Sequence, residues 1–239
     1  MKNEKSWDVE IGTSGGLYPN MMESPQLRWG FIRKVYLIVA MQILITIIIA
    51  AVMNIVPSIH VFFISRTSNS IILTFIIMIL PLLVMIPMVF LSDRHPINMI
   101  LLVLFTICMG MTIGLACSGR QGNVVLEAAA LTAIIFMGLT LYTFWAAKRG
   151  HDFSFLGPFL FAALLCLTIF SLIQIFFPLG KTTTMIFGCI SAIVFSGFIV
   201  YDTDNLIKRH SYDEYVPAAI SLYLDIINLF LALLSVMEE

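Results

Sequence analysis

The chain has 239 residues, of which 60% are hydrophobic and 11% charged, and its formal net charge is -1. A soluble domain carries about a quarter charged residues, so this composition excludes an ordinary soluble globule and points to a polytopic membrane protein. The near-neutral charge, with no basic stripe interleaved with aromatics, excludes nucleic acid as a partner.

Residues 1–34 read as a polar, cytosolic tail without an apolar leader, so the first span is expected to act as its own insertion signal. Gly12-Thr13-Ser14-Gly15-Gly16 reads as flexible. Arg28-Trp29-Gly30-Phe31-Ile32-Arg33-Lys34 reads as an interfacial anchor, with aromatics at headgroup depth and cations outside. Residues 35–239 form the membrane domain. A spanning helix needs about 20 mostly apolar residues, and seven runs qualify: about 35–56, 71–91, 97–117, 124–147, 155–177, 185–207 and 216–236. The fold class is therefore all-α. Pro81 and Pro87 predict a kinked second span. Gly110 and Gly114 in the third span form a small-xxx-small pattern that permits close helix contact. Gln42 and Gln174 read as helix–helix hydrogen-bond formers. Cys108, Cys117, Cys166 and Cys189 lie in apolar runs without metal-site spacing and read as small buried hydrophobes. The four histidines fall in connecting segments and form no ligand pair. No resident cofactor is expected.

Orientation follows from the cations outside the spans. The tail and the even-numbered loops hold ten: Lys2, Lys5, Arg28, Arg33, Lys34, Arg94, Lys148, Arg149, Lys208 and Arg209. The other side holds three: Arg66, Arg120 and Lys181. This places the N-terminus in the cytosol. The C-terminal tail has no Lys or Arg, so charge leaves open whether the seventh segment crosses fully or re-enters.

The apolar pattern is broken where Tyr201-Asp202-Thr203-Asp204 and Ser221-Leu222-Tyr223-Leu224-Asp225 place acids inside the last two spans. An ionisable group in lipid marks a functional site by default. Asp202 and Asp204 lie about 200° apart on a helix and cannot share a face. Asp204 has Lys208 four residues later, the favourable acid-then-base spacing, and reads as a structural acid. Asp202 has Asn205 as its near polar neighbour and still needs a partner. Ser221, Asp225 and Asn228 form one polar stripe on the seventh span, which must face protein or water. Counted from the intervening loop, Asp202 and Asp225 lie at depths of roughly 9 and 15 Å at about 1.5 Å per residue, so in a hairpin they can meet. Two carboxylates meeting in low dielectric share a proton and titrate as a pair in two steps. That is the physics of a proton-sensitive latch and equally of a cation site, where both acids, with Ser221 or Asn228, would be transient calcium ligands. The plainer alternative is that each acid bonds backbone or hydroxyl groups and only fixes packing. Glu127, three residues inside the fourth span, is either a snorkelling interfacial acid or a pore-mouth ligand.

Four ordered motifs carry a family resemblance: Leu141-Tyr142-Thr143-Phe144-Trp145-Ala146, Phe155-Leu156-Gly157-Pro158-Phe159-Leu160, Tyr201 to Ile207, and Ser221 to Phe230. Together they resemble the Bax-inhibitor family, and within it the Lifeguard or Golgi anti-apoptotic branch. The tail, Leu17-Tyr18-Pro19 with Glu23 to Lys34, is similar to plant-type members. The resemblance implies seven helices with the last one central, or six plus a re-entrant segment. It implies a pH-sensitive calcium leak from an intracellular store, suppression of programmed cell death, and a proton-sensing pair at Asp202 and Asp225. It points to the endoplasmic reticulum or Golgi, with a vacuolar membrane as a further candidate. An arginine in the second span latches that pair in bacterial members. Residues 71–91 here contain no Arg or Lys, so this latch is not carried over.

Expected partners are therefore the lipid bilayer, calcium ions and protons, with cell-death regulators or other calcium channels as further candidates. Calcium would be cargo rather than cofactor. A non-conducting scaffold that binds cell-death regulators is the second reading. An intramembrane aspartyl protease, whose dyad the two acids echo, is a remote third, because Leu222-Tyr223-Leu224 replaces the Gly-x-Gly that precedes the second acid in such enzymes. The chain is expected not to be an enzyme.

Overall fold

The structure is a computed structural model that describes residues 16–19, 21–65, 67–91, 94, 96–177 and 180–237. Most of the glycine-rich stretch, the charges Lys2, Lys5 and Arg66, and the acidic end Glu238-Glu239 lie outside the described residues. Eight helices follow one another: α1 (Pro25–Ile55), α2 (Pro57–Ile64), α3 (Ser68–Phe90), α4 (Ile97–Cys117), α5 (Gly122–Lys148), α6 (Leu156–Phe176), α7 (Lys181–Lys208) and α8 (Tyr215–Val236). All but α2 are long and apolar enough to cross a membrane. Among the described residues there is no strand.

The seven expected spans are present, and the differences lie at their ends. α1 begins at Pro25, ten residues ahead of the first apolar run. Proline is pre-organised for the first turn of a helix, where its missing N–H costs nothing, so the polar residues that follow it are drawn into the helix. α2 is a short connecting helix opened by Pro57. α3 runs through both Pro81 and Pro87. The last segment is one uninterrupted helix of 22 residues, about 33 Å at 1.5 Å per residue, which is long enough for a full crossing and is not a helical hairpin.

α8 is the central helix. It packs directly against α1, α4, α5 and α7, while α3 rests on α4 and α6 on α7. Burial follows this arrangement: 56% of the apolar window of α8 lies inside the protein, against 11% for α6. The outward faces of the surrounding helices carry exposed Leu, Ile and Phe, as lipid contact requires. Cys166 and Cys189 belong to those outward faces and are exposed, contrary to the expectation for all four cysteines. Only Cys108 and Cys117 are buried. Apolarity marks a cysteine as membrane-embedded and does not tell a core face from a lipid face.

The small residues of α4 act as expected. A Cβ on Gly110 would lie 3.1 Å from Ile49, and one on Gly114 would lie 2.7 Å from the Met53 sulfur, so α1 and α4 approach closely only because these side chains are missing. Gln42 of α1 donates to Thr106 Oγ1 of α4 at 3.2 Å. Across the core, the hydroxyls of Thr46 and Tyr223 meet at 2.7 Å and tie α1 to the central helix.

Candidate functional site

α7 and α8 form the tightest antiparallel pair of the bundle, joined by the short loop from Arg209 to Glu214. This hairpin brings Asp202 and Asp225 together, with their carboxyl groups within hydrogen-bonding reach of one another. Asp225 is 6% exposed and Asp202 is half-buried. Asn205, one turn along α7, places its side chain on Asp202. The separation of 23 residues works because α7 continues about two turns beyond Asp202 and α8 reaches Asp225 about three turns after it starts.

Glycine seats this part of α7. A Cβ on Gly157 of α6 would fall 2.9 Å from the Tyr201 hydroxyl. The missing side chain at Gly157 therefore lets the tyrosine that precedes Asp202 pack closely against α6.

Asp204 has a different environment. It is 0% exposed, and its carboxylate meets Lys208 Nζ at 2.5 Å and Arg209 Nη1 at 3.2 Å. The backbone N–H of Phe153 also donates to it, at 3.3 Å. Lys208 donates further to the His151 carbonyl, and Arg209 bonds Asp152 and Asn205 Oδ1. The backbone N–H of Ser154 and the Arg209 side chain pull the Asp152 carboxyl down to about 2. Asp204 thus anchors the α5–α6 loop to the end of α7. The spacing argument identified Lys208 but could not see Arg209, whose part depends on a loop more than 50 residues away.

The remaining candidates are dispersed. Ser221 is half-buried one turn before Asp225. Asn228 donates to the Leu224 carbonyl at 2.9 Å and faces a cleft of about 450 Å³ between α6, α7 and α8, which Gln174, Thr184 and Ser191 also line. Asn228 lies one turn beyond the pair and also borders this cleft. Glu127 is exposed near the start of α5, at the opposite end of the bundle. Among the described residues, no three His, Cys, Asp or Glu side chains cluster as a metal site would require.

Sequence reasoning missed the role of Arg28. It was expected at the membrane surface, yet it is 2% exposed. Its Nη1 donates to the His210 carbonyl at 2.5 Å, and its Nη2 and Nε donate to Glu23 at 2.5 and 3.1 Å. The chain folds the tail back over the α7–α8 loop, a contact spanning 182 residues that no local pattern reveals.

A bundle of seven spanning helices, with a buried last helix whose carboxylate faces another, defines a class of membrane protein. Sequence comparison specifies the class. The family described as inhibitor of apoptosis-promoting Bax1 matches residues 28–239, and the chain belongs to that Bax-inhibitor family. It is 58% identical over 232 residues to protein LIFEGUARD 4 of Arabidopsis thaliana, covering 96% of this chain and 94% of the relative. It is 36% identical to protein lifeguard 4 of Mus musculus and 38% identical to the Golgi anti-apoptotic protein of Vaccinia virus, each over 215 residues, 90% of this chain and 87% of the relative.

Proposed function

We propose that the protein is a pH-sensitive calcium leak channel or exchanger of an intracellular membrane and that it suppresses programmed cell death. The observation that carries this reading is the meeting of Asp202 and Asp225 inside the bundle. A pair of carboxylates in low dielectric is stable when it shares a proton and repels when that proton is lost. Acid therefore favours a hydrogen-bonded, closed pair. Loss of the proton opens the contact or admits a hard cation, for which two carboxylates supply the charge and part of the oxygen set. Calcium is the cargo, and Asp202 and Asp225 are its transient ligands.

The anti-apoptotic part of the proposal and the compartment rest on the relatives, one of which is named for the Golgi and for opposing apoptosis. The endoplasmic reticulum or Golgi follows, with the vacuolar membrane a further candidate. The cation count on the two sides supports a cytosolic N-terminus.

The test is calcium release from liposomes that contain the purified protein, measured across a pH series. Wild type should leak more as the pH rises. Asp225→Asn should flatten that dependence, and Asp202→Asn should weaken it. Release with an unchanged pH profile in both variants would sink the proposal and leave a scaffold that binds cell-death regulators as the better account.

A further inference from the structure

The tail that covers the α7–α8 loop is built as a closure. Leu17 is buried in the apolar cluster that includes Ile207, Tyr215 and Ala218. Two residues on, Pro19 crosses the turn at Gly150, where φ is +84° and an added Cβ would sit 3.2 Å from the proline ring. Glu23 then accepts from Arg28 and, at 2.8 Å, from the Tyr212 hydroxyl. The Arg28 guanidinium stands 5.0 Å from the centre of the Tyr212 ring, and the Tyr212 and Phe31 rings meet edge to face at 5.9 Å. The hydrogen bond from Tyr212, with Arg28 beside it, lowers the Glu23 carboxyl below its ordinary range. The segment thus spans the mouth of the bundle from the α5–α6 turn to the α7–α8 loop. Arg28 grips the backbone of the α7–α8 loop at the His210 carbonyl.

We propose that residues 17–19 and 21–28 form a gate that closes this mouth of the bundle over the Asp202–Asp225 pair, with Arg28 as its fastener. The physical case is the burial of a cation. A guanidinium taken out of water is stable only while its partners surround it, and here those partners are the Glu23 carboxylate, the His210 carbonyl and the rings of Tyr212 and Phe31. Loss of any of them makes the buried position costly and favours release of the whole segment, which is the behaviour of a two-state strap rather than a graded one. Arg28 fastens the tail to the α7–α8 loop and is the first residue of the matched family region. The gating role rests on the reading of the acid pair as an ion site; the closure itself does not.

Ala218 provides a reporter. It is 2% exposed and lies seven residues before Asp225, hence on the same helical face and two turns nearer the mouth. Cys166 and Cys189, the exposed native thiols, are first replaced by alanine. The full-length protein in lipid nanodiscs, with both faces in solution, is then treated with a membrane-impermeant maleimide. Ala218→Cys should react slowly alone and at least 10-fold faster when combined with Arg28→Ala. Combined with Glu23→Lys, a surface change that repels Arg28 without entering the core, it should react several-fold faster. Ser235→Cys, which lines the cleft at the opposite end of α8, should react at one rate in all three backgrounds. Equal labelling of Ala218→Cys with and without Glu23→Lys would overturn the gate. So would a rise at Ser235→Cys that matches the rise at Ala218→Cys, since that is general loosening. If labelling responds as expected but calcium release does not depend on Asp225, the closure stands and the ion-site reading falls. If release depends on Asp225 and labelling does not respond, only the gate falls.

Discussion

Asp202 and Asp204 are two residues apart on one helix and live in opposite electrostatic surroundings. Asp204 points to the end of the bundle, where Lys208, Arg209 and the Phe153 N–H surround it. Asp202 points into the α7–α8 contact, where it meets Asp225. A buried acid supplied with cations is a fastener. A buried acid that faces another acid is, on the proposed reading, a site that one proton can change. The difference comes from helical phase alone, since about 200° separates the two side chains.

The largest effect expected from breaking this contrast is on stability. Asp204→Ala leaves Lys208, which is only 13% exposed, without its buried partner, and breaking such a pair costs about 3 kcal/mol. Thermal unfolding in detergent should show a clear loss, whereas Asp225→Asn, which keeps the shape and the hydrogen bond, should leave the transition within about 1 kcal/mol. An Asp204→Ala protein as stable as wild type would erase the distinction between the two acids.

A smaller effect is expected one layer out from Asp204. Asp152 accepts from the Ser154 N–H and pairs with Arg209, and these contacts depress its carboxyl to about 2. A group whose value falls on folding contributes stability above its ordinary value of about 3.9 and loses that contribution as the pH drops through the depressed one. Wild type should therefore destabilise slightly between about pH 4 and pH 2 relative to Asp152→Asn, by under about 1 kcal/mol, because the pair is half exposed and screened by solvent. Parallel acid denaturation curves for the two proteins would show that the Asp152–Arg209 contact contributes nothing.

Seven spans and an all-α fold were legible because each helix repeats one message, about 20 apolar residues between polar breaks. The pairing of Asp202 with Asp225 was legible for a related reason, since a short loop makes α7 and α8 a hairpin whose depths can be counted. Arg28 was not legible. Its partners are Glu23, five residues away, and the His210 carbonyl, and a carbonyl leaves no mark in sequence. Arg28 therefore looked like any interfacial cation. The extension of α1 back to Pro25 was not legible for a similar reason, because counting apolar residues locates lipid and not helix. The cleft that Asn228 shares with Gln174 and Ser191 was not legible either, because it depends on how α6 packs beside α7 and α8.

The most direct test of the contrast is calcium release from proteoliposomes containing wild type, Asp202→Asn or Asp204→Asn, each followed from acidic to neutral pH. The account predicts that Asp202→Asn flattens the rise in release with pH, while Asp204→Asn keeps the wild-type profile at reduced protein stability. A flattened profile in Asp204→Asn alongside a normal one in Asp202→Asn would contradict it.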